Sequence, residues 1–159
     1  MPTPLSRARL LPLFIIVVSL LGACKPPVPG TGKVGQKLDY QGYSISVAAV
    51  EFGEDFPGAR KARDGYTLAA LDVIVASDRA KDVTFRPKYA TLVGADGEEH
   101  AARASGRDPA LEEVEDLPKG QSRRGWLTYE VPKNARKFQF RYSLPPAMND
   151  AELQFDIEK

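Results

Sequence analysis

The sequence predicts an all-β domain, an antiparallel β-sandwich of about seven strands, and three observations predict it. Apolar and polar residues alternate with period two through most of the chain after Gly35, as a strand with one buried face requires. Turn-forming dipeptides and prolines separate most of these runs. No stretch sustains a helical period for more than one or two turns. Short strands with frequent turns bury their apolar faces by packing sheet on sheet.

The strands follow in order. Tyr43, Ile45, Val47 and Ala49 share one face of the first run, with Ser44 and Ser46 opposite. Thr67 to Val75 carries Leu71, Val73 and Val75 on one side and Leu68, Ala70, Asp72 and Ile74 on the other. Apolar residues on both faces mark a central strand. Tyr89, Thr91 and Val93 form a third run that meets Gly94-Ala95-Asp96-Gly97, a hairpin signal of the Asp-Gly type. Trp126 to Val131 gives a fourth run, ended by Pro132, and Trp126 is expected to pack between the sheets. Phe138, Phe140 and Tyr142 alternate with Lys137, Gln139 and Arg141 as a half-buried strand. The last run sets Leu153, Phe155 and Ile157 against Glu152, Gln154 and Asp156. One helical exception is expected. Asp108-Pro109 reads as an N-cap with proline in the first turn, with Leu111, Val114 and Leu117 on one side.

The totals bound the rest. A chain of 159 residues holds one domain. Lys and Arg number 22 against 21 Asp and Glu, without clustered excess cation, so nucleic acid is excluded as a partner. The single cysteine, Cys24, rules out an intrachain disulfide and takes its meaning from what precedes it.

Met1 to Arg9 holds two arginines and no acid, and Leu10 to Leu21 is apolar but for one serine and one proline. Such a run reaches about 18 Å as a helix, short of a roughly 30 Å hydrocarbon core. It reads as a secretion signal. Leu21-Gly22-Ala23-Cys24 resembles the lipobox of bacterial lipoproteins. The resemblance implies diacylglycerol on the Cys24 sulfur, cleavage after Ala23 and acylation, for example by palmitate, of the freed amine. Two or more chains are physically required, because a single acyl chain gives only marginal, reversible membrane binding. The expected layout is a signal peptide over 1–23, a lipidated, Pro/Gly-rich spacer over 24–34 and the sandwich over 35–159. Membrane lipid is thus the first expected partner. The domain would face away from the cytoplasm, and Lys25 after the cysteine leans to the outer membrane where there are two.

Several segments in order carry a second resemblance. They run from Val34-Gly-Gln36 and Tyr43-Ser-Ile-Ser-Val47 through Tyr66 to Val75, Val83 to Pro87 and Leu92 to Gly97. Leu117-Pro-Lys-Gly-Gln121 and Gly125-Trp-Leu-Thr-Tyr-Glu-Val-Pro-Lys133 complete the series. Over residues 33–158 the chain resembles the telokin-like, immunoglobulin-fold domain of unknown function of bacterial cell-surface lipoproteins. The resemblance implies an immunoglobulin-like sandwich at the cell surface and supplies no catalytic motif. The segment from Ala101 to Asp116 is longer and more charged than that pattern.

A hydrolase needs a nucleophile, a base and a group to orient the base. The sole histidine, His100, has Ser105 nearby but no nucleophile-elbow motif, and reads as structural or solvated. One His and one Met in the mature chain argue against a copper or zinc centre. Asp108, Glu112, Glu113, Glu115 and Asp116 lack the aspartate-alternating loop with its turn glycine, so they read as a solvated acidic face, with weak calcium capture the alternative. No metal site, no cofactor and no enzymatic activity are expected.

Binding is therefore sought on loops, where scaffolded domains carry it. Residues 54–65 are charged around a lone Phe56, and residues 101–121 form a long charged connection. Phe56, Arg60, Arg63, Glu112, Glu113, Arg123 and Arg124 are the candidate partner surface. The expected function is a non-enzymatic, membrane-anchored binding module of the cell envelope. The alternative is an accessory subunit docking on an envelope transporter or secretion assembly.

Overall fold

The computed structural model describes residues 29–79, 83–104 and 106–159. The described residues form eleven strands: β1 Thr31–Lys33, β2 Lys37–Tyr40, β3 Tyr43–Gly53, β4 Tyr66–Ser77, β5 Val83–Phe85, β6 Ala90–Gly94, β7 Glu99–Ala101, β8 Val114–Leu117, β9 Gln121–Pro132, β10 Lys137–Ser143 and β11 Glu152–Glu158. One sheet has the order β1-β11-β10-β6-β7, and the facing sheet β2-β3-β4-β9. A small β5-β8 pair stands apart from both. All pairings between these strands are antiparallel except β1 with β11. The fold is a β-sandwich.

Period two decides which side chains fill the interior. Ala69, Leu71, Val73 and Val75 of β4 meet Phe138, Phe140 and Tyr142 of β10 and Leu153, Phe155 and Ile157 of β11 in one buried cluster. β4 lies between β3 and β9, the central position its two apolar faces predict. The Asp96-Gly97 turn joins β6 to β7, with Gly97 at φ 86° and its N–H donating to the Gly94 carbonyl at 2.9 Å. A tighter, two-residue hairpin joins β2 to β3 at Gln41-Gly42, both at positive φ, where glycine suits the second position.

The structure corrects several expectations. More strands form than the seven expected, because β1, β2, β5, β7 and β8 have only three or four residues each, too few to show a period. The expected spacer through residue 34 joins the sheet at Thr31, where Gly32 lies so close to the Phe155 ring that a Cβ would stand 2.9 Å from it. A bulge between Val47 and Ala49 switches the inward face of β3, so Val50 and Phe52, and not Ala49, pack on the core. In β6 the inward residues are Ala90 and Leu92, leaving Tyr89 exposed. Trp126 is not in the core, because β9 turns Leu127, Tyr129 and Val131 inward and Trp126, Thr128 and Glu130 outward.

No helix forms after Asp108-Pro109, which is a cis peptide. The segment instead runs extended beside β9. The Trp126 N–H donates to the Pro109 carbonyl at 2.9 Å, and the Leu111 N–H to the Trp126 carbonyl at 3.0 Å. Backbone groups satisfied by a neighbouring strand are not available for helical bonds. Leu111 and Leu117 enter the core, and Val114 packs against it, but from an extended chain.

Candidate binding layer and end cavity

The outer face of the β2-β3-β4-β9 sheet is not left to solvent. Leu68, Ala70, Asp72 and Thr128 point away from the sandwich interior, yet all four are buried. Residues 54–65 and 106–108 lie over this face, while 109–111 pair with the edge of β9. Thr128 ties the second segment down: its carbonyl accepts the Arg103 N–H at 2.8 Å and its hydroxyl the Arg107 N–H at 2.9 Å. The two segments meet where the Asp108 N–H donates to the Pro57 carbonyl at 3.0 Å. The roof explains why β4 reads apolar on both faces.

Arg107 is the keystone of this layer. Its guanidinium stands 3.9 Å from the Trp126 ring centroid and 5.2 Å from that of Phe56, and it pairs with Glu51 on β3. A partly buried cation between two aromatic faces gains more than an exposed one. Its side chain is 22% exposed, so the arrangement is rigid without being sealed. Beside it Asp72, with its side chain 6% exposed, takes the Arg124 guanidinium in a fork, Nε to Oδ1 at 2.9 Å and Nη2 to Oδ2 at 2.5 Å.

Glu130 ties the first segment to β9. It accepts the Arg63 backbone N–H at 2.7 Å and the Arg63 Nε–H at 3.0 Å, with Arg103 at 3.8 Å. The backbone donor above all, then the two guanidinium charges, hold this carboxyl below the usual carboxylate range against the opposing effect of burial. A depressed folded pKa means that the contribution is present above the unfolded value near 4.3 and is lost as pH falls through the folded one. Glu130→Gln should therefore flatten the fall in thermal stability between about pH 5 and 3. Parallel melting curves for the two proteins would refute the assignment.

The sequence-predicted site residues divide into separate groups. Phe56, Arg60 and Arg63 belong to the roof, with Arg60 exposed. Glu112 and Glu113 do not join them. Glu112 is exposed, and Glu113 pairs with Arg86 at 2.7 Å, beside the cavity described next. Arg124 is held by Asp72, whereas Arg123 is exposed near the start of β9. Arg107, Glu51, Trp126 and Glu130 were missed. The alternation in Arg124-Gly-Trp-Leu-Thr-Tyr-Glu130 sets Trp126 on the polar face with Arg124 and Glu130. Cys24 with Leu21, Gly22 and Ala23, and also Ser105, lie outside the described residues. His100 is a nearly buried residue of β7, opposite Leu92. Among the described residues no three His, Cys, Asp or Glu side chains gather as a metal site would need, and no helix is long and apolar enough to cross a membrane.

A cavity of about 380 Å³ opens at the end of the sandwich formed by the start of β3 and the end of β10. Tyr43, Tyr142, Val83 and Met148 give it apolar walls, and Arg79 and Arg86 add charge. Tyr43 and Tyr142 stack with rings 5.9 Å apart at 6°, and Phe85 stacks on Tyr142 at 5.0 Å. This end is remote from residues 54–65, which leave the opposite end of β3.

Residues 32–153 match the family described as Domain of unknown function (DUF4352). No curated protein matches the chain. Among solved structures the chain is similar to a candidate lipoprotein (ycdA) of Bacillus subtilis, at 12% identity and a TM-score of 0.62, over 77% of this chain and 38% of that one. This chain thus spans well under half of that protein. It is also similar to the secreted protein MPT63 of Mycobacterium tuberculosis, at 18% identity and a TM-score of 0.57, covering 82% of this chain and 98% of that one. An uncharacterised β-sandwich protein of Clostridium difficile 630 aligns at 10% identity and a TM-score of 0.51, over 84% and 99% of the two chains. At these identities the likeness is one of fold.

Proposed function

From the premise that this chain belongs to the DUF4352 family, we propose that it is a lipid-anchored, immunoglobulin-like envelope module without enzymatic activity. It binds another envelope protein through the roofed face of its β2-β3-β4-β9 sheet. The anchor is the acylated Cys24, behind an apolar run too short to span a bilayer. The observation that carries the binding reading is the Phe56–Arg107–Trp126 stack. It fixes two charged connections on a rigid sheet, so their exposed groups meet a partner without a large ordering cost. The likeness to a candidate lipoprotein and to a secreted protein supports a location outside the cytoplasm.

Two measurements test the reading. Mass spectrometry of the native N-terminus should find fatty acyl groups on Cys24, and Cys24→Ser should accumulate as a larger precursor. A mature N-terminus without acyl groups would refute the anchor. Crosslinked pull-down from membranes should then recover a protein partner that the double variant Arg60→Glu, Lys61→Glu, both exposed on the roof, loses. Recovery of the same partner by that variant would remove the roof as the binding surface. Fixed stoichiometry with a transporter or secretion complex would make the module an accessory subunit of it.

A further inference from the structure

One end of the sandwich carries an inference that rests on the proposed anchor and not on the roof. β1 runs parallel to β11, with Thr31 opposite Gln154 and Lys33 opposite Asp156. Thr31 is therefore the residue of β1 nearest the end where β11 begins and β10 finishes at Ser143. Cys24 stands five residues before Pro29, the first described residue. A chain spans at most about 3.6 Å per residue, so an acylated Cys24 stays within about 18 Å of Pro29. Strands of twelve residues make the sandwich roughly 40 Å long. A domain resting on the end near Thr31 holds residues 54–65 and the 133–136 turn far from the membrane.

The side chains exposed at that end suit a lipid surface. The connection from β10 to β11 leaves Pro145, Pro146 and Ala147 exposed, three apolar residues in a row. Tyr89, just before the Ala90 that pairs with Tyr142, is 41% exposed. Only one other large apolar residue among the described ones is as exposed. Tyr89, Pro145 and Ala147 line the same end cavity, so they form one patch. Lys88 lies over the Tyr89 ring, 5.2 Å from its centroid. Tyrosine is favoured at headgroup depth, where its ring meets hydrocarbon and its hydroxyl stays wet. A lysine stem lies along the same boundary while its ammonium reaches the phosphates. We propose that this patch rests on the membrane that holds Cys24, so that the domain stands on end with residues 54–65 pointing away from the lipid.

Spin labelling of the acylated protein, in phosphatidylcholine vesicles that carry a nickel-chelating lipid, tests this. The chain has one cysteine, so with the Cys24 sulfur acylated an introduced cysteine is the sole free thiol. Ala147→Cys and Asn134→Cys place labels at exposed positions at the two ends. Relaxation enhancement by the nickel lipid should be at least fivefold larger at 147 than at 134. Tyr89→Asp should leave the protein on the vesicles and cut the enhancement at 147 at least twofold. Equal enhancement at the two positions on vesicle-bound protein overturns the inference and leaves the anchor standing. So does an unchanged enhancement in Tyr89→Asp. A label at 147 shielded from both the nickel lipid and dissolved oxygen overturns it too, because protein then covers the patch. Protein that does not stay with the vesicles refutes the anchor itself, and this orientation with it.

Discussion

Leu111→Ala should lower the free energy of unfolding by about 2–4 kcal/mol, a loss typical of a strand centre rather than a surface connection. Leu111 sits in one of the most charged stretches of the chain, yet it is 5% exposed and belongs to the sandwich core with Phe85, Leu117 and Leu127. Its backbone is fixed by the bond to the Trp126 carbonyl, so the site cannot collapse onto the missing methyl groups. Substitutions on a solvated linker stay within about 0.5 kcal/mol. Urea unfolding separates the two cases. A midpoint within error of wild type would mean that residues 109–117 lie on the outside, and the extended pairing with β9 would be wrong.

How legible the fold was depended on strand length. β4, β10 and β11, each of seven or more residues, show enough alternation for the buried face to be read, and their inward residues are the expected ones. The strands of three or four residues are too short to show a period. The Val47/Ala49 bulge was invisible too, because one inserted residue changes the phase of the pattern without changing its composition. The error at 108–117 has a different origin. Leu111, Val114 and Leu117 are spaced three apart, which suits a helical face, and Asp-Pro supplies a plausible start. Tertiary pairing with the open edge of β9 overrode that local preference. The binding layer was legible only in part. That residues 54–65 and 101–121 were the ones to examine followed from their length and charge. That Arg107 joins them through Trp126 and Phe56 did not, since such stacking depends on a sheet face shared by residues about 20 to 70 positions apart.

Gly125→Ala tests the same region by the sign of its effect. In a strand with room for a methyl group, replacing glycine by alanine stabilises by roughly 0.5–1 kcal/mol, because the unfolded chain has less freedom to lose. At Gly125 the opposite is expected. A Cβ there would stand 2.6 Å from the Leu111 nitrogen, 2.7 Å from its Cα and 2.8 Å from the Ala110 carbonyl carbon. These are backbone atoms held by the bridge to β9, so they cannot yield as the end of a flexible side chain would. Overpacking of this kind costs about 1–3 kcal/mol. Trimming Leu111 to alanine removes none of the atoms struck, so Leu111→Ala should not rescue Gly125→Ala in the double variant. A neutral or stabilising Gly125→Ala would show that residues 110 and 111 do not lie against β9 at this glycine. The extended pairing of residues 109–111 with the edge of β9 would then need to be redrawn.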